Sequence, residues 1–155
     1  MTLIEEIVDA RPDSALAEAL AHRAEILRLS QATHDAVLFP RTPGAISHGL
    51  RAALAARMAR QYEVPTLVEH YEKLIQKGSD NDELQDGRTD AQTAAIVAHS
   101  DLLTLRPRDA TRADIEKLKA SGVDEPDIVR LAELAAFVSY QARVIKGLQA
   151  LKGAR

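Results

Sequence analysis

The sequence predicts an all-α fold of about seven helices. Apolar residues recur at steps of three and four along most of the chain. No stretch alternates Val, Ile, Thr or Tyr with polar residues between Asn-Gly or Asp-Gly turns, so strand signals are nearly absent. Capping residues stand at Ser47, Thr89, Thr111 and Asp124, where periodic segments begin.

Residues 2–9 read as a short helix with Leu3, Ile4, Ile7 and Val8 turned inward. Pro12 breaks it, and Asp13 or Ser14 caps a second helix running to about Thr33, with Leu16, Leu20, Ala24, Leu27 and Gln31 on one face. Residues 38–44 hold two prolines and a glycine, which is loop chemistry. An alanine-rich helix follows over 47–61, and Val64-Pro65 restarts a helix through about Gln76, since proline is tolerated in a first turn. Residues 78–83 form a polar, acidic loop. Thr89 with Gln92 is a capping-box pattern opening a helix to about Thr104.

Thr111 to Asp114 opens a short helix carrying Ile115 and Leu118, and Gly122 sits where a left-handed C-terminal cap belongs. Asp124 caps the last helix, with Glu125, Pro126 and Asp127 in a first turn whose acidity suits the positive end of the helix dipole. Its apolar set, Ile128, Leu131, Leu134, Ala135, Val138, Ala142, Ile145 and Leu148, makes the 128–151 helix the expected centre of the fold.

Composition narrows the function. The chain has 155 residues and no cysteine, so it has no thiol nucleophile, no disulfide relay and no Cys-ligated zinc or iron–sulfur site of its own. A net charge of −3 with 3% aromatics offers no nucleic-acid footprint. The start of the chain is acidic where a signal peptide is basic, and no apolar run approaches the roughly 20 residues that span a bilayer. A soluble cytoplasmic protein without membrane or nucleic-acid partners is expected. The five histidines, His22, His34, His48, His70 and His99, form no i, i+4 pair, and His34-Asp35 is an adjacent pair whose side chains point to different sides of a helix. Neither a metal nor a cofactor is expected.

Three stretches in order carry a resemblance. Residues 49–60, Gly-Leu-Arg-Ala-Ala-Leu-Ala-Ala-Arg-Met-Ala-Arg, lead into Leu67-Val68-Glu69-His70-Tyr71. Ala110-Thr111-Arg112-Ala113-Asp114-Ile115-Glu116-Lys117-Leu118 leads into Gly122-Val123-Asp124-Glu125-Pro126-Asp127. Ala136-Phe137-Val138-Ser139-Tyr140-Gln141-Ala142-Arg143-Val144 closes the series. Together they resemble the carboxymuconolactone decarboxylase and alkylhydroperoxidase-like superfamily. The resemblance implies that fold, a single domain over 1–155 with a core at 46–152, and an N-terminal helical extension at 1–45.

The departures bear on function. Peroxidase members carry C-x-x-C-x-x-x-H with a glutamate upstream. Anchored on His70, the cysteine positions fall at Glu63 and Thr66, and the glutamate position falls near Arg51. A carboxylate or hydroxyl does not replace a thiolate in attack on a peroxide, so peroxidase chemistry does not carry over. His70 shares a helix face with Leu67, Tyr71 and Leu74. It is either an inherited core histidine or a general base. Arg57, near Leu50, Leu54 and Met58, reads as half of a buried Arg–carboxylate bridge or as an anion-binding group; Glu133 interrupts the last helix. Tyr140 and Arg143, three apart, are placed to line a cavity or a subunit contact.

Three functions follow. The first is a cysteine-free member that has lost peroxidase chemistry, a homo-oligomer (dimer or larger) acting as an accessory protein beside a cysteine-bearing relative. The second is a cofactor-free lyase or isomerase for a small carboxylic acid or lactone, with His70 as base and Arg57 or Arg143 holding the anion. The third is a helical interaction domain.

Overall fold

A computed structural model describes residues 1–77 and 91–153. The described residues form eight α-helices and one 3-10 turn, with no strand among them. The helices are α1 (Leu3–Ile7), α2 (Ala15–Ala21), α3 (Ala24–Leu38), α4 (His48–Gln61), α5 (Pro65–Lys77), α6 (Ala91–Leu105), α7 (Arg112–Ala120) and α8 (Glu125–Gly153). The fold is all-α. None of these helices is long and apolar enough to cross a membrane. The expected loop at 78–83 and the cap at Thr89 lie outside the described residues.

Most starts follow the expected chemistry. Ser14 accepts from the Ala17 amide at 3.1 Å, Ser47 from the Leu50 amide at 3.2 Å, and Asp124 Oδ1 from the Asp127 amide at 2.9 Å. Thr111 and Asp114 form a reciprocal capping box. Gly122 takes φ +90, the left-handed conformation expected of it.

The second expected helix is two. Every side chain from Ala21 to Ile26 is exposed, so no burial holds that backbone helical, and Arg23 (φ −121, ψ 19) leaves the helical region. Ala24, expected inward, is exposed, whereas Leu20 and Leu27 are buried. Helix α3 runs to Leu38 rather than Thr33 because fully buried Leu38 anchors its end. Pro40 disfavours helical backbone at Phe39 and ends it there.

One core joins all eight helices, from Ile4, Leu20 and Leu27 through Leu54, Met58, Leu67, Ile96 and Leu118 to Leu131, Leu134 and Ile145. Helices α4 and α5 form an intimate pair, and α8 touches α1, α3, α4, α6 and α7. Helix α8 is central, and it starts at Glu125, directly after the Asp124 cap that the sequence predicts. In its last turn Lys152 Nζ donates to the carbonyls of Val8 (3.1 Å) and Asp9 (3.0 Å) and to Asp9 Oδ2 (3.0 Å).

Burial makes one histidine acid-sensitive. His99 on α6 is buried. Desolvation pushes its imidazole below the ordinary range, with the Asp114 charge pulling the other way. The unfolded chain therefore binds a proton at higher pH than the folded one does. Stability falls as pH drops through the unfolded value of about 6.5 toward the depressed folded value. The Asp114 carboxyl, held at about 2 by hydrogen bonds from Thr111, acts only at far lower pH. The melting temperature of His99→Leu is expected to depend less on pH between about 5 and 7 than that of the native chain. Parallel profiles would refute the assignment.

Candidate functional site

His70 lies half-buried on α5, between buried Leu67 and Tyr71. Its Nε2 meets Nε2 of His34 on α3 at 3.1 Å. His34 is 4% exposed and packs among the rings of Phe39, Tyr71 and Phe137 at centroid distances of 6.4, 6.2 and 6.2 Å. His34 and Asp35 do not diverge as expected. Asp35 Oδ1 lies 2.9 Å from His34 Nδ1.

The chain of bonds continues. Asp35 Oδ1 also accepts from Gln31 Nε2 at 3.0 Å, and Gln31 Oε1 accepts from the Leu3 amide at 2.9 Å. With Asp35 ionised, the consistent assignment has His34 Nδ1–H donating to it and His34 Nε2 accepting from His70 Nε2–H. His70 thus joins a polar strut that ties α5 to α3 and α1. Beside it, buried Tyr71 donates to Gln141 Oε1 at 2.5 Å, and burial pushes the phenol above its ordinary value.

The other sequence-selected residues do not gather at this pair. Glu63 and Thr66 are exposed at the α4–α5 turn, with Glu63 in the left-handed region at φ 56. Arg57 makes a bridge between helices, but at the surface. Its guanidinium, 48% exposed, grips Asp101 of α6 through Nε at 2.6 Å and Nη2 at 2.7 Å. These bonds raise the Arg57 value and lower that of Asp101. Glu133, the other charge singled out, is exposed on α8. Tyr140 and Arg143 part company. The Tyr140 hydroxyl meets Ser30 Oγ at 2.8 Å, whereas Arg143 donates to Ser139 Oγ at 2.6 Å and lies 5.7 Å over the Tyr62 ring.

Arg51 and Asp127 acquire positions that sequence reasoning missed. Arg51 is buried, and its guanidinium donates to the carbonyls of Ile46 (2.9 Å), Val37 (3.1 Å) and Pro43 (2.9 Å). Burial and the nearby Arg130 charge lower its value, while Asp127 and Glu133 raise it. Asp127, expected only to complement the dipole of α8, is buried; it accepts from the Ala45 amide and from Arg130 Nη1, both at 2.8 Å. Together Arg51 and Asp127 clamp the 39–47 loop from both sides. The only sequence signal was the coincidence of Pro43-Gly44 with two charges on otherwise packed helices.

A groove of ≈ 660 Å³ lies between α3 and α8, walled by Ile26, Leu29, Ser30, Ala136, Phe137 and Tyr140 among others. Tyr140 and Glu133 line it; Arg143, His34 and His70 do not. No cluster of three or more His, Cys, Asp or Glu side chains among the described residues is arranged to hold a metal ion. No family model, curated protein or solved structure matches the chain.

Proposed function

We propose that this chain is a cytoplasmic, cysteine-free relative of the carboxymuconolactone decarboxylase and alkylhydroperoxidase-like proteins that acts by self-association rather than by thiol chemistry. The observation that carries the reading is the α3–α8 groove. Ile26 is 52%, Leu29 49% and Tyr140 39% exposed around it, a concentration of large apolar surface of the kind that marks an interaction site. The ancestry rests on the three quoted stretches, which lie on the α4–α5 pair, the α7–α8 corner and the middle of α8.

The acid–base alternative needs a cation beside His70 to hold a carboxylate. Arg57 is bonded to Asp101 and Arg51 to three carbonyls, while Arg143 stands over the Tyr62 ring. His70 itself is joined to His34. Arg57 and Arg51 are already held by groups of this chain, which favours the associating role.

Sedimentation velocity at micromolar concentration is expected to show a dimer or larger species. Leu29→Glu, which sets a charge in the groove wall without touching the core, should shift it toward monomer with unchanged circular dichroism. A native chain that sediments as a 16.9 kDa monomer would remove the proposal.

A further inference from the structure

One face of α8 carries a pattern that the core does not use. Val129, Glu133, Ala136, Tyr140, Arg143 and Gly147 are all exposed. Their spacing alternates four and three residues, the repeat by which two helices pack along a seam. The opposite face of the same helix, including Leu131, Leu134, Val138 and Ile145, is buried. The seam holds one acid and one base. Parallel packing would stack Glu133 on Glu133 and Arg143 on Arg143. Antiparallel packing centred at the level of Val138 sets each against its opposite.

We propose that a second copy of this chain docks here, α8 antiparallel to α8, about a two-fold axis level with Val138. The proposal rests on the self-association reading and gives it a partner and a register. Each layer of the seam is then complementary. Glu133 faces the partner's Arg143, Ala136 faces the partner's Tyr140, and Val129 faces the partner's Gly147; the two-fold axis repeats every pair. Small meets large in two layers and acid meets base in the third. The space exists: a Cβ added at Gly147 would meet nothing within 4 Å. Sliding by one heptad places Glu133 opposite Ala136 or Ala150 and Arg143 opposite Tyr140 or Pro126, so neither charge finds its counterpart. Exposed Ile26 and Leu29 of α3 flank the seam and extend its apolar border.

Charge reversal tests the register. Glu133→Arg and Arg143→Glu, each alone, oppose like charges twice per dimer and are expected to weaken dimerisation roughly 10- to 100-fold by sedimentation equilibrium. The double variant E133R/R143E restores the opposition of signs and should return to near the native dissociation constant. Both sites are exposed, so circular dichroism should match the native chain in all three. A native monomer would overturn the self-association reading and this one with it. A native oligomer weakened by Leu29→Glu but indifferent to the single reversals would overturn the register alone. So would a double variant no tighter than the singles.

Discussion

Arg51→Met should unfold at a temperature roughly 10–15 °C below the native chain, from a loss of about 3–5 kcal/mol. The replaced guanidinium satisfies three carbonyls, Ile46, Val37 and Pro43, that no methionine can reach. Each buried acceptor left without a donor costs about 1–3 kcal/mol, partly relieved by relaxation of the 39–47 loop. Arg51→Lys separates geometry from charge. The ammonium retains the charge but is a compact point donor, unable to span a fork of carbonyls from three parts of the chain. It should lose about half as much as the methionine variant. Thermal melts followed at 222 nm check both, and a lysine variant as stable as the native chain would refute the carbonyl account.

Gly44→Ala should cost about 2–4 kcal/mol, chiefly through a clash rather than a conformational preference. Gly44 has φ +71, and a Cβ there would lie 2.2 Å from Asp127 Oδ1, 2.5 Å from Arg130 Nη1 and 3.0 Å from Asp127 Cγ. The carboxylate cannot simply turn aside. It is buried and already holds the Ala45 amide and Arg130. Gly122 is the internal control. Its φ of +90 carries the same backbone preference, but an added Cβ would meet only Gln92 Nε2, at 3.8 Å. Gly122→Ala should therefore lose only about 1 kcal/mol. Urea titrations of the two variants give the comparison directly, and equal losses would show that the Asp127 contact contributes nothing.

What the sequence disclosed follows from range. Caps at Ser47, Thr111 and Asp124 act over three residues and were readable as such. The apolar rhythm of α8 identified its buried face because burial and periodicity are the same fact on a central helix. The break at His22-Arg23 was not readable, since helix propensity there is good and only the absence of a neighbour to bury against ends the segment. At the candidate site the reading that put His70 inward met a half-buried ring, but its partner is thirty-six residues away on α3, a distance no local pattern encodes. Arg57 and Arg51 illustrate the same limit. They sit six apart on one helix, and only the placement of α6 and of the 39–47 loop decides which is held at the surface and which is enclosed.

The Lys152 bonds to Val8 and Asp9 set an order of assembly. Helix α1 is synthesised before α8, yet a donor that fixes its trailing turn lies in the last turn of α8. Contacts of α1 with α8 likewise wait for a helix more than a hundred residues further along the chain. Helix α1 can therefore meet α3 early, through the Leu3 amide and Gln31, but its trailing turn is secured only once α8 is made. The same linkage runs in reverse when the chain loosens. Fraying of α8 at its C-terminal end loosens the trailing turn of α1 without disturbing the α4–α5 pair, so exchange of the amides in residues 6–8 should follow the dynamics of residues 148–152.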